Sequence, residues 1–404
     1  MQENKFSSDN RWLLPEGVDE VLPPQVFVLE DLRRRLLDTY SSWGYELIIP
    51  PFIEFLDSLL TGAGHDLDLQ TFKVTDQMSG RLMGVRADMT PQAARIDAHQ
   101  LRREQPARLC YIGTVLQTRP YGLGRSRDPM QVGAELFGHA GIESELEIIS
   151  LMLETLRITG IQRPYLDIGH VGIFRGLAQE AKLSSEAEAA LFDALQRKAR
   201  AEIDAVLAEC QLGEPMRAML AALPELNGGV EVLDHAGTRL LAAGEQVQAA
   251  LKDLWGIASA LERRQPQLPL HFDLAELRGY RYKTGVVFAA FTPGHGQEIA
   301  RGGRYDEIGK VFGRARPATG FSADLKTLVE LGERPATAVQ PGIFAPWADE
   351  PALLALVAEL RGKGHRVIQA LPGQLGDALA MGCDRVLTRR GGGWQIESVG
   401  GPGG

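Results

Sequence analysis

In LEDLRRRLLDTYSSWG the apolar positions Leu29, Leu32, Leu36, Leu37 and Tyr40 recur at helical spacing, with arginines and acids on the other faces. The pattern predicts an amphipathic helix, and Gly44 supplies its stop. YELIIPPFIEF follows as a short β-rich run. Its Pro50 and Pro51 confine it to an edge or a strand end, a common place for an interface. RLMGVRADMT predicts a strand leading into a turn and a helix that starts near Pro91. LCYIGTVLQTRP and PMQVGAELFGHAG predict two strands joined by the loop YGLGRSRD, with the helix LEIISLMLETLRITG after them. YLDIGHVG is again strand-like.

From about residue 174 to residue 240 the chain is rich in Ala, Leu and Glu at helical spacing, which predicts a helical subdomain. Strand texture returns in LPLHFDL, GVVFAAF and RGGRYD. Hairpin-like strands with segregated helices predict an α+β core rather than a doubly wound sheet. The expected organisation is a domain over 1–331, a linker over 332–342 (GERPATAVQPG) and a small α/β unit over 343–404. In that unit GIFAPW, HRVIQAL and RVLTRR read as strands between short helices. The first twelve residues and the terminal GGPGG are expected to be loose. There is no repeat of fixed period and no heptad pattern.

Composition narrows the function class. The chain has 404 residues, 44% hydrophobic and 24% charged, with a formal net charge of -9. That balance weighs against a nucleic-acid binder, which needs a surplus of Lys and Arg. Cys110, Cys210 and Cys383 form no CxxC pair, so a reducing compartment and no disulfide framework are expected. MQENKFSSDNRW lacks the apolar core of a secretory signal, and no apolar run approaches the ~18 residues of a membrane span. A cytoplasmic location is the expectation. The eight histidines show no HxxxH or HExxH spacing, so no metal site is expected. GGRYDEIGKVFG lacks the strand–GxGxxG–helix context of a dinucleotide site.

Three polar constellations remain. Arg86, Asp88 and Thr90 alternate in VRADMT, so a strand would turn them to one side; a solvated strand face is the plainer alternative. Gln131 and Glu135 share a strand face around Val132 and Ala134. A carboxylate pair such as Asp88 and Glu135 suits an ammonium ligand, because opposite charges favour both ionised forms. Arg278, with Tyr282 on the same side if ELRGYRYKTG is extended, suits a carboxylate held bidentately, or else a surface salt bridge. GFSADLKTL is ambiguous. A glycine turn feeding a helix is a place to receive phosphate. Yet Asp324 there would repel an anion, and Thr327 stands where a charge-reading arginine would point.

Taken together, the segments from about Pro15 to Leu328 resemble a class II aminoacyl-tRNA synthetase, specifically the catalytic domain of the histidyl-tRNA synthetase family. The helix ending at Gly44 plus YELIIPP resembles the first class II motif, which in that family builds the dimer interface. YIGTVLQTRPYGLGRSRDPMQVGAELFG resembles the second motif, ELRGYRYKTGVVF the histidine-specific signature, ARGGRYDEIG the glycine-rich strand beside it, and ATGFSADL the third motif. The resemblance implies a class II antiparallel sheet with flanking helices. It also places Asp88, where the family has a glutamate, with Thr90, Gln131, Glu135, Arg278 and Tyr282 at histidine-contacting positions.

The departures concern the nucleotide. The second-motif arginine that holds the α-phosphate in the family corresponds to Gln117, and the following family glutamate to Arg119. The third motif normally ends glycine-leucine-glutamate-arginine; here it reads Asp324-Leu325-Lys326-Thr327. Lys326 lies one residue too early to replace the arginine. A charge-assisted hydrogen bond contributes roughly 1.5–3 kcal/mol. Loss of one preorganised transition-state donor costs roughly 10²–10³ in rate. Adenylation should therefore be very poor.

An amino-acid site without its nucleotide site resembles the regulatory-subunit family of ATP phosphoribosyltransferase, synthetase-like proteins of histidine biosynthesis. The resemblance implies a chain with no catalytic residues, no metal and no cofactor, and with L-histidine as allosteric ligand. It implies a short-form ATP phosphoribosyltransferase catalytic subunit as partner and a homodimer within a hetero-octamer, with neither membrane nor tRNA among the partners. The tail after Gly342 is shorter than a synthetase anticodon-binding domain. Two alternatives stand beside this: a divergent histidyl-tRNA synthetase that rescues the α-phosphate with Arg119 or Arg125, and a stand-alone histidine- or tRNA-sensing module.

Overall fold

A computed structural model of the chain describes residues 12–60, 64–120, 125–280, 282–333 and 341–399. The chain divides into two units, Met1–Glu333 and Arg334–Gly404, so the cut falls within the stretch expected as a linker. Linker residues 334–340, the N-terminal arm through residue 11, loop residues 121–124 and the GGPGG end lie outside the described residues. Gly342, counted with the linker, already begins a strand.

The larger unit is built on a nine-stranded sheet. Across it run Glu46–Leu47, Ala107–Thr114, Met130–Phe137, Ala318–Asp324, Ala300–Arg304, Val286–Phe291, Tyr165–His170, Leu270–Asp273 and Asn227–Gly228. The strands from Ala107–Thr114 to Tyr165–His170 pair antiparallel throughout. Parallel pairing enters only toward the edges, between Glu46–Leu47 and Ala107–Thr114 and between Tyr165–His170 and Leu270–Asp273. A smaller sheet joins Ile53–Phe55, Leu82–Val85 and Lys73–Thr75.

Strand alternation divides the sheet into two faces. Val132, Ala134 and Leu136 pack with Phe321, Ala323 and Cys110 into the main core beneath the helices. The alternate residues Leu109, Tyr111, Phe137 and Ala318 belong to a second cluster with Met89 and Tyr305. The site lies on this second face.

The helix Gln25–Ser42 buries Leu29, Leu32, Leu36 and Tyr40, with Leu37 half-buried. Tyr40 and Thr155 of the helix Ile142–Ile158 share a buried hydroxyl hydrogen bond of 2.8 Å. Gly44 ends the first helix at φ +82, with Tyr45 N–H donating to the Tyr40 carbonyl at 2.9 Å. The helical texture expected between 174 and 240 begins at Val171 and continues through Glu245–Arg264. Gly244 interrupts the pattern only locally. Val247, Leu251, Leu254, Ile257 and Leu261 restore it and bury in the main core. Among the described residues no helix is long and apolar enough to cross a membrane.

The smaller unit has strands in the order Val367–Gln369, Gly342–Ala345, Cys383–Arg390 and Gly393–Ser398 and, among its described residues, one helix, Pro351–Gly362. The last strand was not expected. Gly391 and Gly392, at φ +58 and +89, turn the chain into an antiparallel hairpin. Two positive φ values in a two-residue loop match strand twist and favour glycine at both places.

One buried ion pair ties sheet to helix. Arg304 donates to Glu145 at 2.6 and 2.9 Å, and to the Ser144 hydroxyl at 3.0 Å. Breaking such a pair from one side strands a buried charge and costs about 3–5 kcal/mol. Glu145→Ala is expected to lower the urea midpoint accordingly, and a loss within experimental error would show that the pair does not join these layers.

Candidate functional site

On the second sheet face opens a cavity of about 630 Å³. Asp88, Thr90, Glu135, Arg278 and Tyr282 all line it, so residues spread over nearly two hundred positions meet in one space. Gln131 lines a neighbouring cavity of about 90 Å³, which Asp88 also borders. The large cavity lies within the size range of ligand sites.

Glu135 sits at the floor, on the strand Met130–Phe137, and is 1% exposed. Tyr111 Oη donates to its Oε1 at 2.8 Å, and Tyr305 Oη donates to its Oε2. Across the ladder its partner is Gly320. A Cβ there would fall 1.5 Å from Glu135 Oε2, so only glycine leaves the carboxylate room. Burial pushes the Glu135 carboxyl up, against the two tyrosine hydrogen bonds and the charge of Lys283. Burial also pushes the Lys283 ammonium down, against the charges of Glu135 and Asp88. Lys283 is 8% exposed, donates to the Gly303 carbonyl at 3.2 Å, and stands 5.1 Å from the centre of the Tyr305 ring. The ammonium role expected for Glu135 thus meets an internal cation. Lys283, Tyr111, Tyr305 and Gly320 were not singled out as site residues in the sequence. The signal for Tyr111 was its strand parity, two residues after Leu109; Lys283 was hidden by the turn it occupies.

The strand expected through VRADMT ends at Val85. Arg86 turns away from the cavity and donates to the carbonyls of Pro50 at 2.7 Å and Thr114 at 2.9 Å. Asp88 Oδ1 accepts from the Thr90 N–H at 2.9 Å, a local turn that competes with extended backbone. Thr90 then opens the helix Thr90–Arg95, with Pro91 in its first turn. Asp88 and Thr90 reach the cavity from a turn and a helix start, not from one strand face. Gln131 fixes them: its Nε2 donates to Asp88 Oδ1 at 2.7 Å, and its Oε1 accepts from the Met89 N–H at 2.9 Å.

ELRGYRYKTG is not extended either. Gly279 takes φ +70, and its carbonyl accepts from the N–H groups of Tyr282 at 2.9 Å and Lys283 at 2.7 Å. Arg278 faces Glu276 at 2.8 Å, and Asp167 and Glu298 at 3.4 Å each. A ligand carboxylate at Arg278 would compete with three internal acids. Tyr282 is 43% exposed, with Lys283 Nζ 5.4 Å from its ring centre.

The smaller cavity corresponds to the nucleotide positions: Gln117, Arg125, Asp324 and Thr327 line it. Gln117 donates to the Ala87 carbonyl at 3.3 Å. Asp324 caps the helix Leu325–Leu331, accepting from the Lys326 N–H at 3.1 Å, the Thr327 hydroxyl at 2.8 Å and the Met130 N–H at 3.0 Å. The helix start is therefore filled by the chain's own anion. Lys326 pairs with Asp128 at 2.9 Å, and Arg125 donates to Gln297 at 2.5 Å. Arg119 is exposed and lines neither cavity. Among the described residues no group of three or more His, Cys, Asp and Glu side chains is placed to hold a metal ion.

This fold is that of the class II synthetases. Residues 17–328 match the histidyl-tRNA synthetase family, and residues 340–397 match the ATP phosphoribosyltransferase subunit HisZ C-terminal domain. The chain is 64% identical to the ATP phosphoribosyltransferase regulatory subunit of Alkalilimnicola ehrlichii, over 98% of this chain and 99% of that one. It is 62% identical to the protein of the same name from Thioalkalivibrio sulfidiphilus, over 95% and 97%. Among solved structures, the ATP phosphoribosyltransferase regulatory subunit/histidyl-tRNA synthetase from Bacillus halodurans superposes with a TM-score of 0.80 at 27% identity, covering 92% of this chain and 96% of that one. The histidyl-tRNA synthetase of Nostoc shares the fold at a TM-score of 0.73 and 20% identity, covering 93% and 91%. The chain belongs to the family of ATP phosphoribosyltransferase regulatory subunits.

The nest around Arg278 generates a test. Without the guanidinium, the Glu276 carboxyl, which burial already pushes up against the charge of Arg278, rises further above its unfolded value. Stability is then lost as pH climbs through the carboxylate range and regained on acidification. Arg278→Met is expected to cost about 1–3 kcal/mol at neutral pH and distinctly less near pH 4, in urea titrations. Equal losses at both pH values would show that Arg278 does not neutralise this acid.

Proposed function

We propose that the chain is a non-catalytic regulatory subunit that activates a short-form ATP phosphoribosyltransferase catalytic subunit, and that it carries histidine feedback in the first step of histidine biosynthesis. The observation that carries this is the contrast within one cleft. The amino-acid half is open at about 630 Å³, while the nucleotide half is about 90 Å³ and its helix start is capped by Asp324. L-Histidine is the ligand proposed for the larger space. Asp88 receives its ammonium, with Thr90 and Gln131 beside it, while Glu135 is already faced by Lys283. The partner supplies the chemistry; this chain contributes linkage, which requires histidine to bind two states of the complex unequally. No metal, cofactor or tRNA belongs to the proposal, and the setting is the cytoplasm.

Adding purified chain is expected to raise the activity of a short-form ATP phosphoribosyltransferase lacking its own regulatory domain. L-Histidine should reverse that gain, with a coupling of about 5–150-fold. The chain alone should give no histidine-dependent ATP–pyrophosphate exchange. Exchange at synthetase rates without activation would identify a divergent synthetase instead.

Assembly is proposed as a homodimer within a hetero-octamer. Leu47, Phe52, Ile53 and Phe55 are exposed along YELIIPPFIEF, and Ile49 is 84% exposed. A row of apolar side chains on an edge segment is suited to a partner surface, and a two-fold contact would present it to itself. Light scattering at micromolar concentration should find a dimer in the native chain and a shift toward monomer in Ile49→Asp. A native monomer would count against this surface.

A further inference from the structure

The floor of the large cavity holds two carboxylates, Asp88 and Glu135, and one buried ammonium, Lys283. They are not equivalent. Both oxygens of Glu135 accept tyrosine hydroxyls, and Lys283 lines the same cavity with its ammonium 5.1 Å from the ring centre of Tyr305, one of those tyrosines. Asp88 uses Oδ1 for Thr90 and Gln131. Its Oδ2 accepts no hydrogen bond among the described residues. Among the other charged side chains that line the cavity, Arg301 pairs with Glu298 at 3.5 Å and Arg278 with Glu276 at 2.8 Å. Of the three groups Asp88, Glu135 and Lys283, one negative charge is left for a ligand, and it lies at Asp88 rather than at Glu135.

We propose that Lys283 sets the specificity of this cavity: its ammonium takes the place opposite Glu135 that a ligand's second cation would need, so the site selects amino acids with one ammonium and an uncharged side chain. This rests on the assignment of the cavity to an amino acid. A neutral imidazole meets the hydroxyl, carbonyl and ammonium groups around Glu135 as a hydrogen-bonding ring. A second ammonium meets Lys283 instead. Like charges brought together in a desolvated site cost several kcal/mol. Without Lys283, Glu135 keeps its two tyrosine hydrogen bonds but has no cation beside it, and a cationic side chain would then be the preferred occupant.

Calorimetric titration of the full chain with L-histidine, triazolylalanine and L-ornithine separates these cases. Triazolylalanine keeps a neutral azole ring, and ornithine carries a second ammonium. The native chain is expected to bind histidine and triazolylalanine alike, and ornithine at least about a hundredfold more weakly. In Lys283→Met the gap between histidine and ornithine should close by about tenfold or more, since ornithine can now face Glu135. Native binding of ornithine as tight as histidine, or an unchanged gap in folded Lys283→Met, would overturn the role of Lys283. Absence of binding by all three would instead defeat the amino-acid assignment, and the specificity role would fall with it. Thermal unfolding of Lys283→Met, Glu135→Gln and the double variant tests the pairing without any ligand. The double variant should be more stable than Lys283→Met alone, and additive losses would defeat the pairing. If Lys283→Met does not fold while the double variant does, that rescue supports the pairing.

Discussion

A carboxylate sealed against the middle of an antiparallel sheet must be compensated from inside the protein, and Glu135 is that carboxylate. Taking an ion out of water costs several kcal/mol even after relaxation. A hydrogen bond to a charged group returns about 1.5–3 kcal/mol, so neither tyrosine suffices alone. The compensation comes from separate parts of the chain. Tyr111 is on the neighbouring strand, Tyr305 follows the strand Ala300–Arg304, and Lys283 arrives on a turn. Gly320 opposes Glu135 in the ladder, and Gly133 lies under Tyr111, where a Cβ would sit 2.6 Å from the hydroxyl. The identities of these residues follow from one buried charge.

The smaller cavity solves the opposite problem by the same device. A helix start with nearby N–H donors attracts an anion. Here Asp324 provides the anion, at a cost visible in its carboxyl, which burial pushes up against the hydrogen bonds it accepts. An external phosphate would have to displace a carboxylate that is covalently part of the helix. One cleft therefore contains a buried internal cation, Lys283, in its larger space and an internal anion, Asp324, at the helix start of its smaller one. Catalysis needs open, preorganised charge for a developing transition state; this cleft has closed much of its charge upon itself.

Much of this was legible in sequence wherever a period was present. The stripe Leu29, Leu32, Leu36, Tyr40 and the alternation through Gln131 and Glu135 each name a face without knowledge of its partner. Local turn chemistry defeated the same method twice. Asp88 and Thr90 alternate as a strand would, but the Asp88 carboxylate takes the Thr90 N–H and the chain turns. Arg278 and Tyr282 alternate as well, yet Gly279 at positive φ folds the segment back. Both pairs still reach the cavity, because a turn can deliver a side chain where a strand face would. Lys283 stayed hidden for a different reason: a lysine beside arginines and tyrosines reads as surface, and only the sheet brings it to Glu135. The Gly391-Gly392 hairpin shows in the sequence only as a dipeptide, because the strand after it, Gly393–Ser398, is too short and too exposed to carry a clear pattern.

The two cavities are not electrically separate. Glu298 lines the smaller one and pairs with Arg278 of the larger; it also lies 3.5 Å from Arg125, whose loop borders the nucleotide positions. Asp88 borders both spaces and is bound to Gln131 between them. Arg278 and Asp88, which line the larger space, are thus each held by a residue that lines the smaller one, Glu298 and Gln131. Such coupling has thermodynamic content only if the ligand favours one of two arrangements. A cleft of paired internal charges has such arrangements available, because each ion can be held by its partner or released to a ligand. A synthetase uses its ions on substrate in every turnover. A subunit of the proposed kind, reporting occupancy without turnover, would keep them paired until the ligand arrives.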